Sequence, residues 1–360
     1  MAERVDVVRA LCSVQGVESE TIKAVAVNDG QVRVTLALAA DDQRRAAVRQ
    51  AAAAAVAALD GVADVEVHLV ADRPAPPAER ASAAGGTEPI DLPDIADIVA
   101  VGAGKGGVGK STVAMHLAVG LAQAGKRVGL LDADVYGPSL AMMAGIEGQP
   151  PQTAPDGRIL PFAAGPLKVV SVANFVEPGS AMIWRGPMVH ATVRQLLGDV
   201  AWGPLDVLIV DLPPGTGDVP LTLAQSAAVT GAVLVSTPQP VALADAMRAA
   251  EMYRSLGISV LGFVENMSYF ACGECGTEHD LFGRGGVARL AEGHGYACLA
   301  QLPMHGEVRA RTDAAEAEAN FAGDGPVAEA LARMVTGLFE AIDRRRSQGP
   351  APQPLGVRPG

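Results

Sequence analysis

Gly104-Lys105-Gly106-Gly107-Val108-Gly109-Lys110-Ser111-Thr112, shortly after the apolar run Ile98 to Val101, is the stretch on which the fold turns. It fits G-x-x-x-x-G-K-[ST], in which glycines let backbone N–H groups close around phosphate oxygens, the lysine reaches the outer phosphates and the hydroxyl meets Mg²⁺. Such a loop works between a strand and a helix, whose N-terminus faces the anion. Working outward, apolar runs recur at Val128 to Leu131, Val169 to Ser171, Val207 to Val210, Ala232 to Ser236 and Ser259 to Val264, with helical stretches between them. Continuous apolar strands alternating with helices predict an α/β fold, a mostly parallel sheet covered by helices on both faces. Ligands of such sheets sit at the carboxyl ends of the strands, where each motif below falls.

The run Val128 to Leu131 leads into Asp132, Ala133, Asp134, Val135, Tyr136 and Gly137, placing two carboxylates beside the phosphates. Hard oxygen ligands suit Mg²⁺, and a carboxylate can orient an attacking water. Capping of the following turn is the plainer use of either aspartate. Val207 to Val210 ends at Asp211, followed by Leu212, Pro213, Pro214, Gly215, Thr216, Gly217 and Asp218. An apolar strand ending in Asp is the usual carrier of a second Mg²⁺ contact, and the loop after it can change shape when the γ-phosphate leaves. Asn266 follows the run ending at Val264; its amide can both give and take hydrogen bonds, and Asn also builds turns. The lysines are Lys23, Lys105, Lys110, Lys126 and Lys168, so two of the few lie in the phosphate loop. Lys110 fills the ordinary phosphate-binding position, which makes Lys105 an additional compact cation at a crowded site.

With 360 residues, 49% of them hydrophobic and 19% charged, the chain is globular and can hold a large core plus a smaller unit. Its net charge of -12 gives no global basic field for nucleic acid or an anionic membrane. No stretch approaches the length of a membrane span, and the N-terminus lacks an apolar leader core, so a cytoplasmic location is expected. The four cysteines, Cys12, Cys272, Cys275 and Cys298, make no disulfide framework, and only Cys272 and Cys275 form a C-x-x-C pair. Two thiolates are half of what a tetrahedral zinc site or an iron–sulfur cluster generally needs. Two copies on a two-fold axis would supply Cys272 and Cys275 from each chain. A zinc knuckle using His279, a thiol–disulfide couple and idle thiols are the other readings.

Along the chain, residues 1–70 read as a small α/β unit: a helix near Val5 to Ser13, a strand at Gln31 to Ala39, a helix at Gln43 to Leu59 and a strand at Val62 to Val70. Residues 71–93 are rich in Pro, Ala and Gly and predict an extended linker. The main domain spans 94–345. Its last helix carries Val327, Leu331, Met334, Val335, Leu338, Phe339 and Ile342 on one face, followed by Arg344, Arg345 and Arg346 near its C-terminal dipole. Residues 346–360 form a Pro-rich tail expected to be disordered.

The loop with its second lysine resembles the deviant phosphate-loop class of MinD, ParA and the nitrogenase iron protein, which are P-loop NTPases forming nucleotide-sandwich dimers. GKGGVGKST, LLDADVYGPS, DLPPGTGD and ENMSYFACGECGTEHDLFGRGG together resemble the Mrp/ApbC family of iron–sulfur cluster carrier ATPases over about residues 94–345. The layout of residues 1–70 is similar to the small domain often found before this ATPase, related to iron–sulfur assembly factors. The resemblance implies a slow ATPase in which Lys105 reaches the partner's nucleotide, Asp134 orients water, Asp132 supports the metal shell, Ser111 and Asp211 serve Mg²⁺, and Asn266 reads adenine. It also implies a homodimer bridging one labile [4Fe-4S] cluster through Cys272 and Cys275 of both chains, taken from a donor scaffold and handed to apo-proteins. The chain departs from the family pattern twice. VQGVESE at Val14 to Glu20 stands where the small domain usually has Asp-Pro-Glu, and Met304, His305 and Gly306 stand where an Asp-containing turn often follows the Leu-Pro pair. The rival reading is a MinD/ParA-like dimerisation switch with a structural zinc at the C-x-x-C; its markers would be a basic patch or a detachable amphipathic tail, and the acidic net charge and the ordinary final helix argue against both.

Overall fold

The computed structural model describes residues 4–18, 21–28, 31–38, 44–59, 61–71, 88–176, 186–272, 274–349 and 353–355. The chain divides into two units, residues 1–74 and 75–360. In the first, helix α1 (Arg4–Cys12) and helix α2 (Arg45–Ala57) accompany strands β1 (Ile22–Asn28), β2 (Gln31–Leu38) and β3 (Asp64–Ala71). β2 is the central strand, antiparallel to β1 and parallel to β3. Its alternate residues Val32, Val34 and Leu36 are buried with Val7, Leu11, Val48, Ala52 and Val56 of the helices, the two-residue period of the strand meeting the helical stripe. β1 was not anticipated from the sequence. Residues 72–87 of the expected linker lie outside the described residues.

The second unit begins with strand β4 (Ile95–Ala103), helix α3 (Lys110–Gln123), strand β5 (Val128–Asp132) and the short helix α4 (Leu140–Met143). Strands β6 (Gln152–Thr153) and β7 (Ile159–Leu160) form a small ribbon, and β8 (Phe162–Ala164) and β9 (Leu167–Ser171) follow. Then come α5 (Gly186–Gly198), β10 (Leu205–Asp211), α6 (Asp218–Ser226), β11 (Gly231–Ser236), α7 (Pro240–Ser255) and β12 (Val260–Glu265). A hairpin of β13 (Phe270–Ala271) and β14 (Glu278–His279) leads to α8 (Gly286–Gly293), β15 (Cys298–Gln301), α9 (Gly306–Asp313) and α10 (Pro326–Ser347).

Eight strands make the main sheet in the order β15-β12-β11-β4-β10-β5-β9-β8, parallel except for the edge pair β8 and β9. β4 shows why both faces are covered: Val99, Val101 and Ala103 point into a core with α3 and α10, while Ile98 and Ala100 point into a second core with α5, α6, α7 and α8. The six apolar runs read from the sequence are all strands of this sheet. β15 and β8 were missed, being four and three residues long. β12 runs one residue past the expected end, so Glu265 is its last residue. α10 continues through Ser347 because Arg346 pairs with the buried Asp97 at the start of β4. Of the expected tail beyond that helix, residues 350–352 and 356–360 lie outside the described residues. The parallel register sets Asp211 beside Asp132 and beside Val101, which brings the ends of β4, β5 and β10 to one edge.

Candidate functional site

At that edge the loop after β4 turns sharply into α3. Gly107 and Gly109 have φ of 80° and 81°, the left-handed region where a side chain is strained. A Cβ on Gly109 would lie 2.1 Å from Asn266 Nδ2, and one on Gly104 would lie 2.2 Å from the backbone of Asp245. Gly109 caps α3 without a side-chain hydrogen bond, and the first helical turn carries no acidic residue. The helix therefore presents N–H groups and a positive dipole end with no anion of its own.

Lys110 is buried, and its Nζ donates to Asp211 Oδ1 at 2.6 Å, with Asp134 Oδ2 at 3.3 Å and Ser111 Oγ at 3.2 Å. Asp132 is also fully buried: Oδ1 accepts from the N–H of Asp134 at 3.2 Å, and Oδ2 accepts from the N–H of Leu140 at 3.1 Å and from Ser171 Oγ at 2.9 Å. The Asp134 carboxylate receives the N–H groups of Tyr136 and Gly137 at 3.3 and 3.2 Å, so it caps its turn and still faces Lys110. Asp211 Oδ2 is buried with no hydrogen-bond partner among the described residues. A buried carboxylate oxygen left open beside the loop hydroxyl of Ser111 suits a hard cation. Lys105 is half-buried and makes no hydrogen bond or ion pair among the described residues. The loop after β10 leans on the same place, with the N–H of Gly215 donating to Ala103 at 2.8 Å.

Cys272 and Cys275 sit at the tip of the hairpin that starts four residues beyond Asn266. Cys275 is exposed and Cys272 half-buried. The tip is closed by the N–H of Cys272 donating to Thr277 at 3.0 Å and that of Gly276 donating to Cys272 at 2.9 Å. Among the described residues no three His, Cys, Asp or Glu side chains are grouped to hold a metal. His279 instead lies against the Phe270 ring, centroids 6.3 Å apart, so the zinc knuckle has no third ligand among these residues.

A family profile described as NUBPL iron-transfer P-loop NTPase matches residues 94–339. The chain belongs to this family. A second profile, described as iron-sulfur cluster assembly protein, matches residues 12–69. An iron-sulfur cluster carrier protein of Deinococcus radiodurans is 47% identical over 300 residues, covering 83% of this chain and 81% of its own. A carrier protein of the same description from Pseudomonas fragi is 45% identical over 277 residues, covering 76% and 93%. Among solved structures, a nucleotide-binding protein of Archaeoglobus fulgidus in complex with ADP shares 40% identity at a TM-score of 0.56, covering 62% of this chain and 88% of that one. The cell division ATPase MinD of Pyrococcus furiosus, at 21% identity and a TM-score of 0.51, shares the fold.

In this member of the family the electrostatics of the edge are uneven. Burial, and then the neighbouring Asp211, push the Asp132 carboxyl up to about 7. Burial likewise raises Asp211, opposed by Lys110. Between about pH 4, where an unfolded carboxylate ionises, and about 7, the folded state therefore holds more protons than the unfolded state, and stability falls as pH rises through that window. The nucleotide-free protein is expected to melt a few degrees higher at pH 5.5 than at pH 8 by scanning calorimetry. A melting point that rises over this range would contradict the buried acidic cluster.

The thiols are graded as well. Hydrogen bonding with the Thr277 side chain and backbone, then with Cys272, lowers the Cys275 thiol below its usual range. Burial, and then Glu265, push the Cys298 thiol up to about 11. Under limiting iodoacetamide at pH 7.5, mass spectrometry should find Cys275 modified well before Cys298.

Two residues make contacts that the sequence does not show. Asn266 Nδ2 donates to the Val108 carbonyl at 2.9 Å, so its amide braces the phosphate loop. Glu265, fully buried, accepts from Ser268 Oγ at 2.5 Å, from the N–H groups of Gly285 and Val287 at 2.8 and 2.7 Å, and from Gln301 Nε2 at 3.1 Å. A Glu closing an apolar strand was the available signal; its partners lie 20 to 36 residues further on, apart from Ser268.

Proposed function

We propose that this chain is an ATP-hydrolysing carrier whose cargo is a labile [4Fe-4S] cluster, held between two copies by Cys272 and Cys275 of each and passed to apo-proteins. The observation that carries the reading is the pair of accessible thiols at the hairpin tip, with no third ligand grouped among the described residues, in a member of an iron-transfer family. Four ligands for one cluster then come from a two-fold pairing of identical hairpins. The cluster comes from a donor scaffold in the cytoplasm, with residues 94–345 as the ATPase domain and residues 1–70 as an accessory domain of the assembly-factor kind.

The phosphates of ATP lie on the open N-terminus of α3, within the N–H groups of Gly104 to Thr112. Their arrival draws Lys110 away from Asp211 and Asp134 toward the phosphate oxygens, exchanging one buried ion pair for another. Asp211 and Ser111 are then free to hold Mg²⁺, which neutralises phosphate charge when bound. Asp134 accepts a hydrogen bond from the water that attacks the γ-phosphorus as the bond to the bridging oxygen breaks, and Asp132 fixes the Asp134 backbone. Lys105, with no ion pair among the described residues, reaches the partner's nucleotide across the dimer and offsets charge in the transition state. Asn266 meets the adenine edge. Hydrolysis is slow and switches the dimer between holding and releasing states.

The test is delivery. Anaerobically reconstituted protein incubated with an apo-enzyme that needs a [4Fe-4S] cluster should restore its activity, and Cys272→Ser/Cys275→Ser protein should restore none. Equal restoration by the double variant would refute the proposal.

A further inference from the structure

Between Asn266, which touches the phosphate loop, and the hairpin run only three residues, and their geometry is unusual. Asn266 is bonded to the loop carbonyl of Val108. The next residue, Met267, has φ of 55°, a left-handed conformation uncommon for a side chain of its size. Strained backbone of this kind persists where the surroundings over-determine it, often at switching segments. The turn lets Asn266 face the phosphate loop while Ser268 folds back onto Glu265.

Glu265 grips the hairpin from both ends. On the leading side Ser268 Oγ donates to it, one residue before Tyr269 and two before β13. On the trailing side it holds the N–H of Gly285 at 2.8 Å, next to Arg284, whose guanidinium lies 4.1 Å from the Tyr269 ring centroid and pairs with Glu278 of β14 at 2.5 Å. The hairpin base is further zipped to the segment after β15, with the N–H of Ser268 donating to Leu302 at 2.9 Å and that of Met304 to Tyr269 at 2.7 Å. With all four donors satisfied, the buried carboxylate is a rigid anchor.

We propose that Glu265 is the positioning residue through which the phosphate loop and the C-x-x-C hairpin are coupled, with Asn266 and Met267 transmitting the loop's state to it. The proposal rests on the carrier reading above in taking nucleotide and thiol sites to be linked, and it concerns how they are linked. A shift of the Val108 carbonyl on nucleotide binding moves Asn266, the Met267 turn rotates Ser268 against Glu265, and the hairpin tip changes its exposure. A two-state element biased from both sites is what such coupling requires.

The experiment measures alkylation rates of Cys272 and Cys275 by iodoacetamide and mass spectrometry, on cluster-free full-length protein, with and without a saturating non-hydrolysable ATP analogue and Mg²⁺. Wild type is expected to change rate by about fivefold or more on adding nucleotide. Glu265→Gln, Ser268→Ala and Gln301→Leu should bind a fluorescent nucleotide as wild type does, yet show a response within about twofold of none. Should Glu265→Gln fail to fold, Ser268→Ala and Gln301→Leu carry the test, since each removes one donor and leaves the carboxylate. A merely structural role would alter the rates with and without nucleotide alike and leave their ratio intact. A wild-type ratio in these variants, or no response in wild type, overturns the link; neither outcome bears on cluster delivery, which the Cys272→Ser/Cys275→Ser comparison decides.

Discussion

Lys110→Ala is expected to abolish ATP hydrolysis, to weaken nucleotide binding by at least about a hundredfold, and to destabilise the nucleotide-free protein by about 3–5 kcal/mol. The effect on binding follows from losing the ammonium that meets the outer phosphates. The effect on stability has a separate origin. Lys110 Nζ is 2.6 Å from Asp211 and 3.3 Å from Asp134, and Asp132 is buried beside them, so its removal leaves a buried carboxylate cluster without its cation. The cluster would respond by taking up protons. The melting penalty should therefore be largest at pH 8 and shrink toward pH 5, which a pair of calorimetric series on wild type and variant would show. A pH-independent penalty would mean that the lysine acts by packing alone.

Lys105→Ala should behave in the opposite way. The side chain has no ion pair or hydrogen bond among the described residues, so stability and nucleotide affinity should stay near wild type, while the hydrolysis rate at saturating ATP falls by about a thousandfold, the scale of an arginine finger. Phosphate release measured beside nucleotide titration separates the two effects. If Lys105→Ala hydrolyses ATP at the wild-type rate, the lysine does not serve the transition state and the sandwich arrangement loses its chemical reason.

Much of this site was legible in the sequence because its signals are local. A phosphate loop is nine consecutive residues, Asp132 and Asp211 each close a recognisable apolar run and Asp134 follows two residues after the first, so their convergence follows once the strands are parallel and in register. The C-x-x-C was equally plain. The missed strands were those with little pattern to read: β15 has four residues and β8 three, too short for periodicity to separate strand from helix. Glu265 was hidden for another reason. Its identity as an anchor depends on Gly285, Val287 and Gln301, which only the packing of α8 and β15 against β12 brings to it. Asn266 shows the same limit, since the sequence offers an amide at the right strand end but cannot show that it braces Val108.

In the proposed carrier, one cluster bridges two chains through a single pair of cysteines on each. Iron and sulfide counted per chain after anaerobic reconstitution, with Mössbauer spectra and the mass of the assembly, test it most directly. The expected result is a dimer holding one [4Fe-4S] cluster, about two irons per chain, lost in Cys272→Ser/Cys275→Ser. Tight stoichiometric zinc with no iron uptake, or a full cluster retained by the double variant, would contradict it.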